Sequence, residues 1–357
     1  MVPENDDPIA AAEALIAKGK AHEAARDLRA RLASGRGGVL ARVTLVKALL
    51  AAGEIEAALA EAREAVSLNP GLPQTLAVLG EALLAAENLP AAIGELQRAL
   101  RHDPDHAEAR FLTGRAWTEA GEAEKALEIF ARLDPATPGL GAWMERAESM
   151  KKAARSDPGY VRHLFDQFSA DYDARMREQL SYAAPEILRD LAGMMMHGRD
   201  ALDVLDLGCG TGLAGAAFRP LAARLDGVDL SPAMIGQARA KSLYDCLQVG
   251  DIETVLAAPG RAYDLIIAAD TLVYLGDLAP AFHAARSRLK GDGYFLFTVE
   301  AGTADFELGP KRRWRHGEAY IRRAAAEAGL KVMGLVAASP RREAREPVDG
   351  FAVALAP

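Results

Sequence analysis

The stretch "LDLGCGTGLAG", Leu205 to Gly215, decides how the chain is read. An apolar run ending in an acid passes directly into closely spaced glycines. This is the pattern of a strand that turns sharply into the N-terminus of a helix and lets its backbone approach a ligand. Two spacings overlap in it. From Gly210 the letters GTGLAG spell G-x-G-x-x-G, and from Asp206 the letters DLGCGTG spell D-x-G-x-G-x-G. They imply ligands of opposite charge, so one of the two matches is accidental.

Around this loop, short Val/Ile/Leu-rich runs alternate with Ala-rich amphipathic stretches. The runs are "ALDVLDL", "RLDGVDL", "CLQVGD", "DLIIAAD", "GYFLFTVE", "KVMGLVA" and "GFAVALA". Strands alternating with helices predict a parallel sheet covered on both faces. The last two runs leave no room for a helix between them, which predicts an antiparallel hairpin at one edge. Helical signals occupy about Tyr160 to Met196, ahead of the first strand.

The first third has a different texture, rich in Ala, Leu and Glu, with a period of 34. Gly19, Gly53 and Gly121 keep that interval, with Glu87 in the missing place; so do Ala24, Ala58, Ala92 and Ala126, and Leu15, Leu49, Leu83 and Trp117. Asn69-Pro70 and Asp103-Pro104 are helix-ending pairs one period apart. These positions resemble the tetratricopeptide repeat, a helix, a tight turn and a second helix packed through the small Ala. Three clear repeats fall at 38–70, 71–104 and 105–135, with a degenerate one at 8–36. The resemblance implies an all-α solenoid over 1–138 whose concave face takes a protein partner. A capping helix and linker follow at 139–157, and the α/β domain spans 158–357.

The 357 residues carry a net charge of −8, unevenly placed. Residues 1–140 hold 15 Lys/Arg against 21 Asp/Glu and the remainder 27 against 29, so the halves carry −6 and −2. Neither half has the dense positive charge of a nucleic-acid or anionic-membrane binder, and neither partner is expected. Cys209 and Cys246 are too few for a disulfide scaffold. The acidic start "MVPENDDPIA" and the lack of an apolar run near ~18 residues complete the expectation of a cytoplasmic protein.

Charge then chooses between the two glycine patterns. A dinucleotide carries an anionic pyrophosphate, which a carboxylate at Asp206 would repel. S-adenosylmethionine carries cationic amino and sulfonium groups, which the same carboxylate attracts. Position agrees: the dinucleotide fingerprint starts directly after the strand at Gly208, so its third glycine falls on residue 213, which is Leu213. Asp206, Gly208, Gly210 and Gly212 are therefore assigned to S-adenosylmethionine. In "LDGVDLSPAMI", Asp229 is placed to accept both ribose hydroxyls, and Leu230 and Met234 are counted with the cofactor set. In "VGDIET", Asp251 is expected on the adenine amino group and Ile252 over the ring, with Asp270 and Thr271 at the rim of the fourth strand.

As a set, residues 158–357 resemble the class I S-adenosylmethionine-dependent methyltransferases. The segments "LFDQFSADYDARM", "AADTLVYLGDL" and "RHGEAYIRRAAAEAGL" are similar to bacterial members that carry N-terminal tetratricopeptide repeats. The resemblance implies a Rossmann-like seven-stranded sheet with the last strand antiparallel, and S-adenosylhomocysteine as the product. No metal is called for.

The acceptor is less legible. The polar-Pro-Pro-aromatic signature of amino methyltransferases is replaced by Asp270-Thr271-Leu272-Val273, which favours oxygen on a small or carrier-held acid and leaves amines open. Phe165, Phe168 and Tyr172 on one helix, Tyr274, and the basic run "KRRWRHGEAYIRR" (Lys311 to Arg323) are expected to close the acceptor pocket. The run equally suits a solvated helix face or, through its Arg forks, an anionic acceptor. His316 is the candidate base, ahead of His163 and His283, and Tyr172 and Tyr274 join it as catalytic candidates. A protein acceptor, and a silent repeat-based binding module, stay open on these residues.

Overall fold

The computed structural model describes residues 7–169, 171–196, 198–309 and 311–357. Two compact units divide between Lys152 and Ala153.

In the first unit α1 (Pro8–Ala17) and α2 (Ala21–Ala33), α3 (Val39–Ala51) and α4 (Ile55–Leu68), α5 (Pro73–Ala85) and α6 (Leu89–His102), and α7 (Ala107–Glu119) and α8 (Ala123–Phe130) form successive antiparallel pairs. α9 (Leu140–Lys152) packs on the last pair. The period has a structural basis at each of its positions. Ala24, Ala58, Ala92 and Ala126 are fully buried. Gly19, Gly53 and Gly121 sit at φ +75°, +78° and +75°, and Glu87 adopts the same left-handed turn at φ +58°. After each turn an amide returns to the carbonyl of Leu15, Leu49, Leu83 or Trp117 at 2.8–2.9 Å, closing the helix end. A further pair keeps the interval: a Cβ on Gly80 would meet Leu96 at 2.5 Å, and one on Gly114 would meet Phe130 at 2.2 Å.

The second unit begins with the extended segment 153–157, earlier than the boundary expected at 158. It continues through α10 (Pro158–Phe168), α11 (Tyr172–Glu178) and α12 (Ala184–Met196). There follow β1 (Leu202–Leu207), α13 (Leu213–Phe218), β2 (Ala222–Asp229), α14 (Pro232–Ala240), β3 (Cys246–Val249), α15 (Ile252–Ala257), β4 (Tyr263–Ala268), α16 (Ala279–Arg288) and β5 (Leu289–Ala301). The chain closes with β6 (Phe306–Leu308), β7 (Trp314–His316), α17 (Glu318–Glu327), β8 (Lys331–Ala338), β9 (Arg342–Glu343), β10 (Glu346–Pro347) and β11 (Gly350–Ala356).

The sheet runs β3-β2-β1-β4-β5-β11-β8. The strands from β1 to β5 are parallel, and β11 is antiparallel to both β5 and β8. The seven expected runs are these seven strands, and the last two pair as the expected hairpin, with β8 at the edge. Two additions were not foreseen. β6 and β7 extend the sheet beside the end of β5, and β9 with β10 forms a separate hairpin between β8 and β11. One face buries Phe282, Phe295 and Phe297 with α16 and α17, and the other buries Leu188, Leu191 and Phe218 from α12 and α13. Among the described residues no helix is long and apolar enough to cross a membrane.

Candidate functional site

The sheet reverses direction of construction between β1 and β4, and a crevice forms outside the carboxyl ends of parallel strands at such a point. The glycine loop occupies it. Gly208, Gly210 and Gly212 all lie in the left-handed region, at φ +68°, +54° and +94°. A Cβ on Gly208 would also stand 2.4 Å from the Thr271 side chain, so the close approach of loop and β4 end needs glycine there.

Asp229, at the end of β2, ties the loop to the next strand. One of its oxygens accepts the Gly210 amide and the other the Ser231 amide, each at 2.8 Å. Burial pushes its carboxyl up to about 6, against the pull of those two amides. Asp206 is fully buried one strand over. Its Oδ2 accepts the Tyr244 hydroxyl at 2.7 Å, its Oδ1 has no partner among the described residues, and burial raises it to about 7. Asp251 caps α15 by accepting the Thr254 amide at 3.2 Å. Arg155 holds both of its oxygens and also reaches Glu253. Although burial works the other way, this pairing lowers the Asp251 carboxyl.

Arg155 belongs to a short strap. Ser156 N–H donates to the Tyr274 carbonyl at 2.8 Å, and the Gly276 amide returns to Ala154 at 2.8 Å. The strap, α10 and α11 cover a cavity of about 80 Å³. Gly208, Gly210, Asp229, Leu230, Asp251 and Ile252 line one side; Asp270, Thr271, Tyr172 and Tyr274 line another. Phe165 bridges the two tyrosines, with ring centroids 6.1 Å from Tyr172 and 5.6 Å from Tyr274. Asp166 and Asp173 fasten the covering helices to Ser231, and to Thr211 and Lys241.

Of the residues assigned to the cofactor or to catalysis, four do not line this cavity. Gly212 is the N-cap of α13 with Tyr244 behind it. Met234 is fully buried in α14, its amide capped by Ser231. Asp206 is fully buried and lies outside the cavity lining. His316 is the larger correction. Its buried ring donates from Nε2 to the carbonyls of Leu275 at 2.9 Å and Gly276 at 3.1 Å, and burial lowers its pKa to about 4. A neutral imidazole spent on two carbonyls braces the segment behind Tyr274 and is not placed as a base. Burial raises the Tyr172 and Tyr274 hydroxyls, so both remain protonated donors at neutral pH.

The basic run is neither a bare solvated face nor a single patch. Arg313 contacts Tyr274 and Glu343, Lys311 pairs with Glu343, and Arg315 lies 3.5 Å from Glu300. Arg322 and Arg323 pair outward with Glu318 and Asp305. Asp270, at φ +56°, gives its carboxylate to the fully buried Arg341. Arg155, Tyr244 and Arg341 escaped sequence reasoning because each meets its partner across 38–96 residues with no spacing to mark it.

Residues 204–293 match the methyltransferase domain family, and residues 78–140 match the tetratricopeptide repeat family. The chain joins tetratricopeptide repeats to a methyltransferase domain. It is 32% identical over 133 residues to human methyltransferase-like protein 27, covering 36% of this chain and 54% of the relative. It is 33% identical over 147 residues to the malonyl-[acyl-carrier protein] O-methyltransferase of Geobacter sulfurreducens, covering 39% and 52%. The chain thus spans about half the length of these curated relatives. Among solved structures, the magnesium protoporphyrin IX methyltransferase of Synechocystis PCC 6803 with bound SAH aligns over 56% of this chain and 99% of its own, at 18% identity and a TM-score of 0.45. The family match at 204–293 contains the glycine loop, Asp229, Asp251 and Asp270, whereas the strap, α10, α11 and the β9–β10 hairpin lie outside it.

Proposed function

We propose that the protein is an S-adenosylmethionine-dependent methyltransferase that methylates an oxygen of a small or carrier-held anionic acceptor, with the repeats recruiting that acceptor or a protein partner. The observation that carries this reading is Asp229. Each of its oxygens is already fixed by one loop amide, and a carboxylate has further acceptor capacity for a pair of hydroxyls. Three left-handed glycines beside it open the backbone to a ligand. Ile252 offers an apolar wall and Asp251 an acceptor at the same cavity, a pairing that suits a ribose with its adenine.

When bound, S-adenosylmethionine supplies an electrophilic methyl group and leaves as S-adenosylhomocysteine. The rest falls to this chain's residues, chiefly orientation. Tyr172 and Tyr274, protonated and facing one cavity, can hold an acceptor oxygen by hydrogen bonds, and Phe165 excludes water between them. No base is assigned, which fits an acceptor that is already a carboxylate. The oxygen assignment gains support from the O-methyltransferase in Geobacter sulfurreducens. The repeat match favours a protein acceptor as a second reading.

Calorimetric titration with S-adenosylmethionine and S-adenosylhomocysteine tests the cofactor. Incubation of the full chain with radiolabelled cofactor and lysate, followed by size separation, tests the acceptor. Label in the small-molecule or carrier fraction supports the first reading, label on larger protein supports the second, and tight binding without transfer leaves a binding module.

A further inference from the structure

A second cavity, of about 370 Å³, lies behind the wall that carries Tyr274 and Asp270. Glu300, Lys311, Arg313, Arg315 and Glu343 are among its lining residues. It joins the first cavity through side chains that belong to both networks. Arg341, fully buried, gives one nitrogen to Asp270 in the first cavity and others to Glu300 and Glu343 in the second. Arg313 touches Tyr274 on one side and Glu343 on the other.

Without Glu343 the side chains of this cluster would be strongly cationic. Arg341, Arg313 and Lys311 face Asp270, Glu300 and Glu343, three cations against three carboxylates, with Arg315 near Glu300 as a fourth cation. The three acids are not equivalent in attachment. Asp270 follows β4 and Glu300 lies in β5, both in the sheet framework. Glu343 comes from the two-residue strand β9, on a hairpin whose turn places Ala344 and Arg345 at φ +48° and +72°. The β9–β10 hairpin pairs only with itself and is not part of the main sheet that frames Asp270 and Glu300. Despite partial burial, Lys311, Arg313 and Arg341 hold the Glu343 carboxyl down to about 2. Three cations thus converge on an acid that the protein supplies from this separate hairpin.

We propose that Lys311, Arg313 and Arg341 form a carboxylate seat for the acceptor, and that Glu343 fills it as an internal surrogate until an acceptor acid displaces the β9–β10 hairpin. This deepens the methyltransferase reading and rests on it. Displacement is an exchange of one carboxylate for another on the same donors, so the buried Arg341 keeps a partner throughout and the penalty of an unpaired buried charge is avoided. Glu346 and Asp349 also line this cavity. They oppose a second negative group there, so the acceptor places one carboxylate in the seat and presents the oxygen to be methylated to Tyr172 and Tyr274 in the first cavity.

The test uses the full chain with sodium butyrate as probe and butyramide as its neutral isostere, each titrated with and without saturating S-adenosylhomocysteine. Glu343→Gln should bind butyrate at least fivefold more tightly than the unaltered chain, with no gain for butyramide, and adding Arg313→Gln should erase the gain. Glu343→Asp, which keeps the charge on a shorter arm, should gain less. An equal affinity in Glu343→Gln and the unaltered chain, or an equal gain for butyramide, overturns the seat. Should Glu343→Gln fail to fold, the absence of any gain in Glu343→Asp overturns it instead. The S-adenosylhomocysteine titration of the unaltered chain is read separately: its failure removes the cofactor assignment, whereas a chain that binds S-adenosylhomocysteine but gains nothing for butyrate loses only the seat.

Discussion

Asp229 accepts the Gly210 amide at 2.8 Å, so the acid that closes β2 also sets the shape of the loop that follows β1. Burial holds its carboxyl near 6, and only the ionised form offers full acceptor capacity to a ribose. Affinity for S-adenosylhomocysteine is therefore expected to fall as pH drops from 7 to 5. Asp229→Asn should lose most of that dependence and weaken binding at pH 7.5 by about 1.5–3 kcal/mol. In the ligand-free chain the sign is opposite. A folded pKa above the unfolded one favours the folded state at low pH, so Asp229 and Asp206 both subtract stability as pH rises from about 4 to about 7. Calorimetry and urea titration across that range check the two trends.

The His316 brace gives a second pH signature. Its folded pKa of about 4 lies below the unfolded value of 6.5, so the folded state binds fewer protons between those limits. Its contribution to stability is complete above 6.5 and is lost as pH falls toward 4. His316→Ala should cost about 1–3 kcal/mol by leaving the Leu275 and Gly276 carbonyls unsatisfied, and should flatten that acid slope. Loss of turnover with unchanged stability would return His316 to the reacting groups.

Two glycines in the repeats should respond in opposite directions. Gly114→Ala drives a methyl into the Phe130 ring and is expected to destabilise the first unit by about 1–3 kcal/mol. Gly94→Ala, inside α6 with open space around it, is expected to stabilise by about 0.5–1 kcal/mol. Thermal melts of the two variants suffice, and a stabilised Gly114→Ala would mean that α7 and α8 pack less closely than described.

The strap makes the start of an isolated second unit matter. A fragment of residues 153–357 keeps the Ala154 and Ser156 backbone bonds and the Arg155 pairing to Asp251; one of residues 158–357 loses them. We expect the longer fragment to melt about 4 °C higher, the shift that about 1–2 kcal/mol produces in a unit of this size. Equal melting temperatures would show that the strap adds nothing to the fold.

Local regularity is what made parts of this molecule readable. The 34-residue interval survives into buried alanines and left-handed turns because each repeat solves the same packing problem, and Glu87 could be placed in the turn set even though it is not glycine. The glycine loop and the acid at Asp229 were legible because a strand end, a turn and a helix start are consecutive in sequence. Asp206 shows the limit: its strand position was read correctly, but its full burial depends on Tyr244, 38 residues away. His316 failed for a related reason, since its near-neutral intrinsic pKa says nothing about the two carbonyls that capture its ring. Arg341 and Glu343 carry no motif and meet their partners only once β8, β9 and β11 are folded.

The position of β11 bears on how the second unit comes into being. It follows every other strand of the sheet in the chain, yet it lies inside the sheet, pairing β5 through Gly350 to Leu355 and β8 along its whole length. Until residue 356 has emerged, β5 presents an open edge and β8 has no neighbour to join. Val353 and Leu355, fully buried in the finished protein, are missing from the core for the same interval. A nascent chain stalled before residue 350 would therefore hold two unpaired strand edges and a gap in its apolar centre. That species is suited to capture by a chaperone, or by another stalled copy of itself.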